Sequence, residues 1–73
     1  MIRIGDYVGF HGRGYTELRG IVLGGPRIKH SRSQYRVLWD GATTPKHWNP
    51  RPTGSWENGD NIKVLSSLET RWV

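Results

Sequence analysis

The side chains that could support catalysis are few in this sequence, and their spacing matches no common reaction centre. There is no Cys, and the three histidines, His11, His30 and His47, lie far apart. None of them stands in an H-E-x-x-H segment or in another spacing that holds a metal ion. The six carboxylates are scattered, and none of the serines belongs to a recognisable catalytic motif. We therefore expect a protein that is not an enzyme and that holds no metal or cofactor.

Positive charge is the most pronounced chemical feature of the chain. The formal net charge is +5 at pH 7, and residues 18–39 contain five cations and no acid. Four of these cations lie close together: Arg27, Lys29, Arg32 and Arg36. A run of charges is often only a solvated loop, but cations without acidic partners also create a positive potential that phosphate groups neutralise. The distribution favours an anionic partner, with nucleic acid first.

Aromatic residues flank this basic segment. Arg13 and Tyr15 lie in a glycine-rich loop before it. A second group of candidates follows it: Lys46, Trp48, Arg51 and Trp56. Single-stranded nucleic acids are bound by aromatic rings that stack on bases and by cations that contact phosphates. Tryptophan and arginine also dominate protein–protein interfaces, so these residues predict a binding surface without choosing its partner. The sequence leaves open whether Trp48 and Trp56 are exposed or fold back onto the domain.

Length and composition predict one small globular domain over residues 1–73. Ten Gly and four Pro indicate many turns, while four Trp, three Tyr and one Phe supply much of the apolar area. We see no run of about 18 apolar residues that would cross a membrane, and no apolar core of a signal peptide near Met1. Because a secreted domain of this size would usually carry disulfides, the lack of Cys favours the cytoplasm.

Apolar and β-branched residues occur in short runs without a helical period, which predicts an all-β domain. In the first run, over residues 2–10, four side chains share an inward face: Ile2, Ile4, Val8 and Phe10. Gly5-Asp6 breaks the alternation and is expected to form a tight turn before the main strand. The other strands are expected at residues 18–23, 34–39, 61–65 and 70–73. Gly20 in the second strand indicates a bulge or a close backbone approach. In the third strand, Tyr35, Val37 and Trp39 share the inward face.

The segments between these strands are predicted to be irregular. Gly24-Gly25-Pro26 should end the second strand and open a basic loop that extends to Ser33. Asp40-Gly41 is typical of a type I′ hairpin turn, after which residues 42–44 can pair back. Residues 45–60 are expected to form a long irregular loop of the kind that often carries function. A single 3₁₀ turn is predicted near residues 66–68.

This plan resembles the SH3-like barrel, and four segments are similar to its Tudor and KOW branch. Gly-Asp-Tyr-Val at residues 5–8 resembles the opening strand, and Gly-Ile-Val at residues 20–22 resembles the second strand. Residues 35–41, Tyr-Arg-Val-Leu-Trp-Asp-Gly, are similar to the hairpin of Tudor-like domains. Residues 61–65 with Leu68 match the closing strand and its anchor. The resemblance implies a small five-stranded barrel.

Proteins of this fold class bind RNA, DNA, methylated or proline-rich peptides, ribosomes or RNA polymerase. Our leading expectation is a binding protein that acts on nucleic acid or on a nucleic-acid machine such as a polymerase, a ribosome or a nuclease complex. The alternative is a protein-interaction module, of the kind that phages encode, that binds one host protein and inhibits or redirects it. A third hypothesis is a cage for methylated side chains that includes Tyr35 and Trp39.

Overall fold

Five antiparallel strands make up the fold, in a computed structural model that describes residues 2–11, 17–45, 48 and 52–67. In chain order they are β1 (Tyr7–Phe10), β2 (Arg19–Lys29), β3 (Arg32–Trp39), β4 (Ser55–Asn58) and β5 (Ile62–Ser66). They form one sheet in the order β4-β3-β2-β1-β5. Two 3₁₀ helices, η1 (Gly41–Thr43) and η2 (Gly59–Asn61), complete the described elements. The predicted all-β class is confirmed.

The sheet is open within the described residues, with β4 at one edge and β5 at the other. The closed barrel is therefore not shown. No helix in these ranges is long and apolar enough to span a membrane.

The hydrophobic core lies against one face of the sheet. Its buried members come from four strands and from the residue before β2: Val8, Leu18, Val22, Val37, Trp39 and Ile62. The inward face predicted for the third strand is confirmed, because Val37 and Trp39 are buried and Tyr35 packs against them. The prediction for Ile4 is wrong, since this side chain is 61% exposed. Residues 4 and 5 form a turn in which Gly5 has a φ of 93°, so the alternation begins only with β1.

Gly20 provides the close approach that its position in the second strand predicts. A Cβ added there would lie 2.7 Å from the carbonyl oxygen of Leu38 and 2.8 Å from the ring of Trp39. Only a residue without a side chain lets β2 pack this closely under the indole.

The basic segment is a β-hairpin and not the predicted loop. β2 continues through residues 24–26 as far as Lys29, and His30-Ser31 forms a two-residue turn into β3. Both turn residues have positive φ, 53° and 61°, as a type I′ turn requires. Residues 24–26 do not end the strand because register shifts on both sides of Gly24 absorb them as bulges. The cations of this segment therefore stand on paired strands.

The prediction of a hairpin turn at Asp40-Gly41 is wrong. Asp40 has a φ of −71° and is the N-cap of η1, where its Oδ1 accepts a hydrogen bond of 2.9 Å from the backbone N–H of Ala42. This cap favours a 3₁₀ turn over a type I′ turn, which needs positive φ at both central residues. Residues 42–44 consequently do not pair back onto β3.

On the side away from β2, β3 pairs with β4. This strand lies inside the segment 45–60 that was expected to be irregular. η2 also begins inside that segment. The 3₁₀ turn predicted near residues 66–68 is wrong for Ser66, which ends β5. Leu68 and the strand expected at 70–73 lie outside the described residues.

Candidate nucleic-acid interface

The outward side of β2, β3 and β4 gathers most of the cations predicted to bind. Because strand residues alternate between the two faces, the inward Tyr35 and Val37 place Arg36 on the opposite side of the sheet. The strand register then puts Trp56 beside Arg36 and Lys29 beside Arg32. We call this surface the basic face, and it consists of four cations, one ring and two amides: Arg27, Lys29, Arg32, Gln34, Arg36, Trp56 and Asn58.

Arg27 has a fixed orientation on the basic face. Its guanidinium carbon lies 4.0 Å from the centroid of the Trp56 ring. Its Nε donates a hydrogen bond of 3.0 Å to Oε1 of Gln34, and Nε2 of Gln34 donates one of 3.0 Å to Oδ1 of Asn58. These bonds cross from β2 through β3 to β4, while the cation–π contact adds about 0.5–1 kcal/mol at an exposed site. The planar cation and the ring are thus held together by three strands.

Arg36 lies beside two glycines and is packed tightly against one of them, Gly54. A Cβ added at Gly24 would lie 3.7 Å from Nε of Arg36, and one added at Gly54 would lie 3.1 Å from its Cγ. The Nε atom is buried and has no hydrogen-bond partner among the described residues. Arg36 therefore sits half-buried beside Trp56 with part of its donor capacity unused.

Acidic groups do little to neutralise the basic face. Within the described ranges, only one of its four cations, Arg32, forms an ion pair, which joins it to Asp60 at 3.4 Å. The Arg32 side chain is 61% exposed and the Asp60 side chain is 84% exposed. Such a pair contributes about 0–1 kcal/mol and is screened by salt. Arg32 and Arg36 are four residues apart, about 13 Å along an extended strand. That separation exceeds the Debye length of about 8 Å at physiological salt, so these two charges are largely screened from each other, whereas Lys29 and Arg32 are direct cross-strand neighbours whose potentials overlap.

The structure separates the two tryptophans that the sequence grouped together. Trp56 lies on the basic face and is 36% exposed. Trp48 packs against the core from the other side, with its ring centroid 6.5 Å from that of Trp39. Trp39 itself is 4% exposed, which confirms its predicted core position. Tyr35 also packs on the core, so the two rings named for the methyl-lysine cage both lie on the inner side of the sheet.

The core side of the sheet has a small cavity of its own. Its volume is about 220 Å³, and its lining consists of Phe10, Leu18, Trp48 and Glu57. Burial raises the pKa of the Glu57 carboxyl above its ordinary value. No cation or hydrogen-bond donor of the described residues pairs with this carboxyl. The acid of β4 thus faces the apolar side, away from the cations of the basic face.

The structure also shows residues of the basic face that the sequence did not predict. Gln34 and Asn58 link Arg27 to the edge strand, and Gly54 makes room for Arg36. The one available signal was the spacing of Gln34, two residues before Arg36, which puts both on one face of a strand. Four predicted contact residues lie outside the described part of the chain: Arg13, Tyr15, Lys46 and Arg51.

Comparisons of the chain with protein-family profiles, with curated proteins and with solved structures gave no match. The geometry and charge of the basic face are therefore the features that bear on function.

Proposed function

We propose that this protein binds nucleic acid through the basic face and has no catalytic activity of its own. The observation that carries the proposal is the placement of four cations around one exposed indole, with a single weak ion pair among them in the described residues. Phosphates are the groups that such a surface binds best, because each neutralised phosphate releases condensed counterions. The Arg27 guanidinium, stacked on the Trp56 ring, supplies a planar surface for a base.

We also propose that the sheet closes into a small SH3-like barrel. The order β4-β3-β2-β1-β5, and the placement of η2 directly before β5, agree with the plan that the sequence resembles. The two register shifts in β2 support closure, because bulges bend a strand and increase its twist. In this proposal the protein works in the cytoplasm, where nucleic-acid machines offer a partner.

The test is a titration with fluorescent single-stranded DNA, single-stranded RNA and duplex DNA at several salt concentrations. Four phosphate contacts predict a slope of log K against log salt of about −3.6 for duplex DNA and about −2.8 for single strands. K29Q removes one exposed cation and should reduce the slope by about 0.7–0.9. K63Q is the matched control, because Lys63 is an exposed lysine on β5 at the other edge of the sheet. Absence of binding at low salt would refute the proposal.

A protein partner is the second candidate, and one observation favours it. Leu38 is 37% exposed and, by the alternation of β3, lies on the same side of the sheet as Trp56. An apolar side chain there has no use for a phosphate, and the tryptophan and arginine beside it are residue types enriched at protein hot spots. Capture from a nuclease-treated lysate separates the two functions. One stoichiometric protein that persists with the wild type and is lost with W56A supports the protein partner.

A further inference from the structure

We propose that the basic face takes single-stranded nucleic acid, and that one unpaired base stacks on the Arg27–Trp56 platform. The platform consists of the Arg27 guanidinium and the Trp56 indole, whose centres lie 4.0 Å apart. This inference rests on the proposed function and adds to it the class of nucleic acid and the place of one base.

The platform is preorganised for stacking. Arginine is planar, and its plane is fixed here by the hydrogen bond of Arg27 to Gln34 and by the Trp56 ring. Gln34 is anchored in turn by Asn58 on the edge strand. Binding therefore does not have to immobilise a long flexible side chain, which typically costs about 0.5–1.5 kcal/mol. A nucleobase offers a flat π surface of the kind that stacks on guanidinium and aromatic planes.

The cations on either side of the platform are placed to bind the phosphates of a nucleic-acid strand that lies over the sheet. Arg36 is the direct cross-strand neighbour of Trp56 on one side. Lys29 and Arg32 face each other two residues beyond the Arg27–Gln34 pair on the other side. Among the described residues, no carboxylate contacts Arg27, Lys29 or Arg36. A base at the platform would therefore have cations available to its flanking phosphates in both directions.

The width of the surface argues against a duplex. At the level of Arg27, three strands lie side by side, because Gln34 pairs with Arg27 of β2 and with Asn58 of β4. Three strands measure about 10 Å between their outer axes before any side chain is added. The major groove is about 12 Å wide and admits a helix or a two-stranded ribbon. In a duplex, moreover, the faces of the bases are covered by their neighbours.

The experiment compares two probes of equal charge, a ten-nucleotide oligo-dT and a ten-unit abasic strand, on the full chain at low salt. Stacking of one base predicts that the wild type binds oligo-dT about 10-fold more tightly. R27K keeps the charge and removes the plane, so this preference should fall to about 2-fold while the salt slope stays the same. R32K is the matched control, because Arg32 is an exposed cation of the same face and stacks on no ring among the described residues. This variant should keep the full preference for oligo-dT.

W56L provides a second variant, which should lose the preference as R27K does. Thermal melts show whether each variant remains folded. A base preference that survives both R27K and W56L overturns the inference, and so does a ten-base-pair duplex bound as tightly as oligo-dT. If the wild type binds all probes without a preference for bases, only this inference fails. If it binds none of them, the proposed function fails as well.

Discussion

The two faces of strands β3 and β4 carry opposite chemistry on alternate residues. Val37 and Trp39 face a dry core, whereas Arg36 and Trp56 lie on the basic face. The inner face is held by packing, and the outer face is held by a cation–π contact and amide hydrogen bonds. The role of a tryptophan in this protein thus follows from the face of the sheet that it occupies and not from its neighbours in the sequence.

The difference between the two faces is tested most strongly by truncating one tryptophan on each face. W39A should lower the free energy of unfolding by about 3–5 kcal/mol, because it opens a large cavity in the core. In a chain this small, that is most of the stability. W56A should cost about 1 kcal/mol or less, since it removes an exposed cation–π contact. Urea denaturation measures both, and equal losses would show that the faces do not differ in this way.

Two of the three glycines of β2, Gly20 and Gly24, sharpen the same comparison with smaller effects. G20A should lower the free energy of unfolding by about 1–3 kcal/mol, because the new Cβ would lie 2.7 Å from Val37 and from the Leu38 carbonyl. G24A is the matched control on the outer side, where the nearest atom is 3.7 Å away, on Arg36. It should change the stability by less than about 0.5 kcal/mol. Thermal melts of both variants check this, and a larger effect for G24A would contradict the packing described here.

The core residues could be predicted from the sequence wherever a strand carried a complete alternation of apolar side chains. Val8, Val37 and Trp39 stand at alternating positions in apolar runs, and Gly20 interrupts a strand where a bulge or a close approach was expected and the structure has the close approach. The second half of β2, beyond residue 23, and the whole of β4 were not accessible in this way. Taken alone, Gly-Gly-Pro at residues 24–26 predicts the end of a strand. These residues form bulges instead because β2 pairs with β3 on both sides of them. The sequence Ser-Trp-Glu-Asn carries no strand pattern, and it becomes β4 by pairing with the same strand.

The candidate site shows the same division between local and non-local information. The cations Arg27, Lys29, Arg32 and Arg36 were evident from composition, but their common face depends on the turn at residues 30–31. The choice of Trp56 over Trp48 depends on β4, and so does the hydrogen bond between Gln34 and Asn58. The first of these features is local to the hairpin, whereas the other two depend on β4, which lies about 20 residues further along the chain.

Arg36 offers a prediction in which stability and binding move in opposite directions. R36M replaces a buried Nε that has no partner among the described residues, so the free energy of unfolding should rise by up to about 1 kcal/mol. Binding should weaken, with a salt slope reduced by about 0.7–0.9. R32M is the control, because Arg32 is exposed and should lose binding without gaining stability. A loss of stability in R36M would mean that this guanidinium supports the fold.

Glu57 gives the smallest expected effect, on the inner face of β4. Its folded-state pKa is raised by burial, so the folded protein holds the proton more tightly than the unfolded chain does. Ionisation of Glu57 therefore lowers stability as the pH rises above about 4.5, the ordinary value of this carboxyl. E57Q removes that penalty and should raise Tm by a few degrees at most at pH 7. Below pH 4, where both states are protonated, the difference should disappear.

The control for Glu57 is E17Q, the same substitution at an exposed position. It raises the net charge by the same amount, so it reports any effect of general charge repulsion on Tm. If E57Q and E17Q change Tm equally at pH 7, the cavity side of the sheet does not desolvate the carboxyl. A gain confined to E57Q and to neutral pH would show that β4 divides its charges between two environments. The acid then weakens the folded state on the apolar side, while the cations across the strand remain available to a ligand.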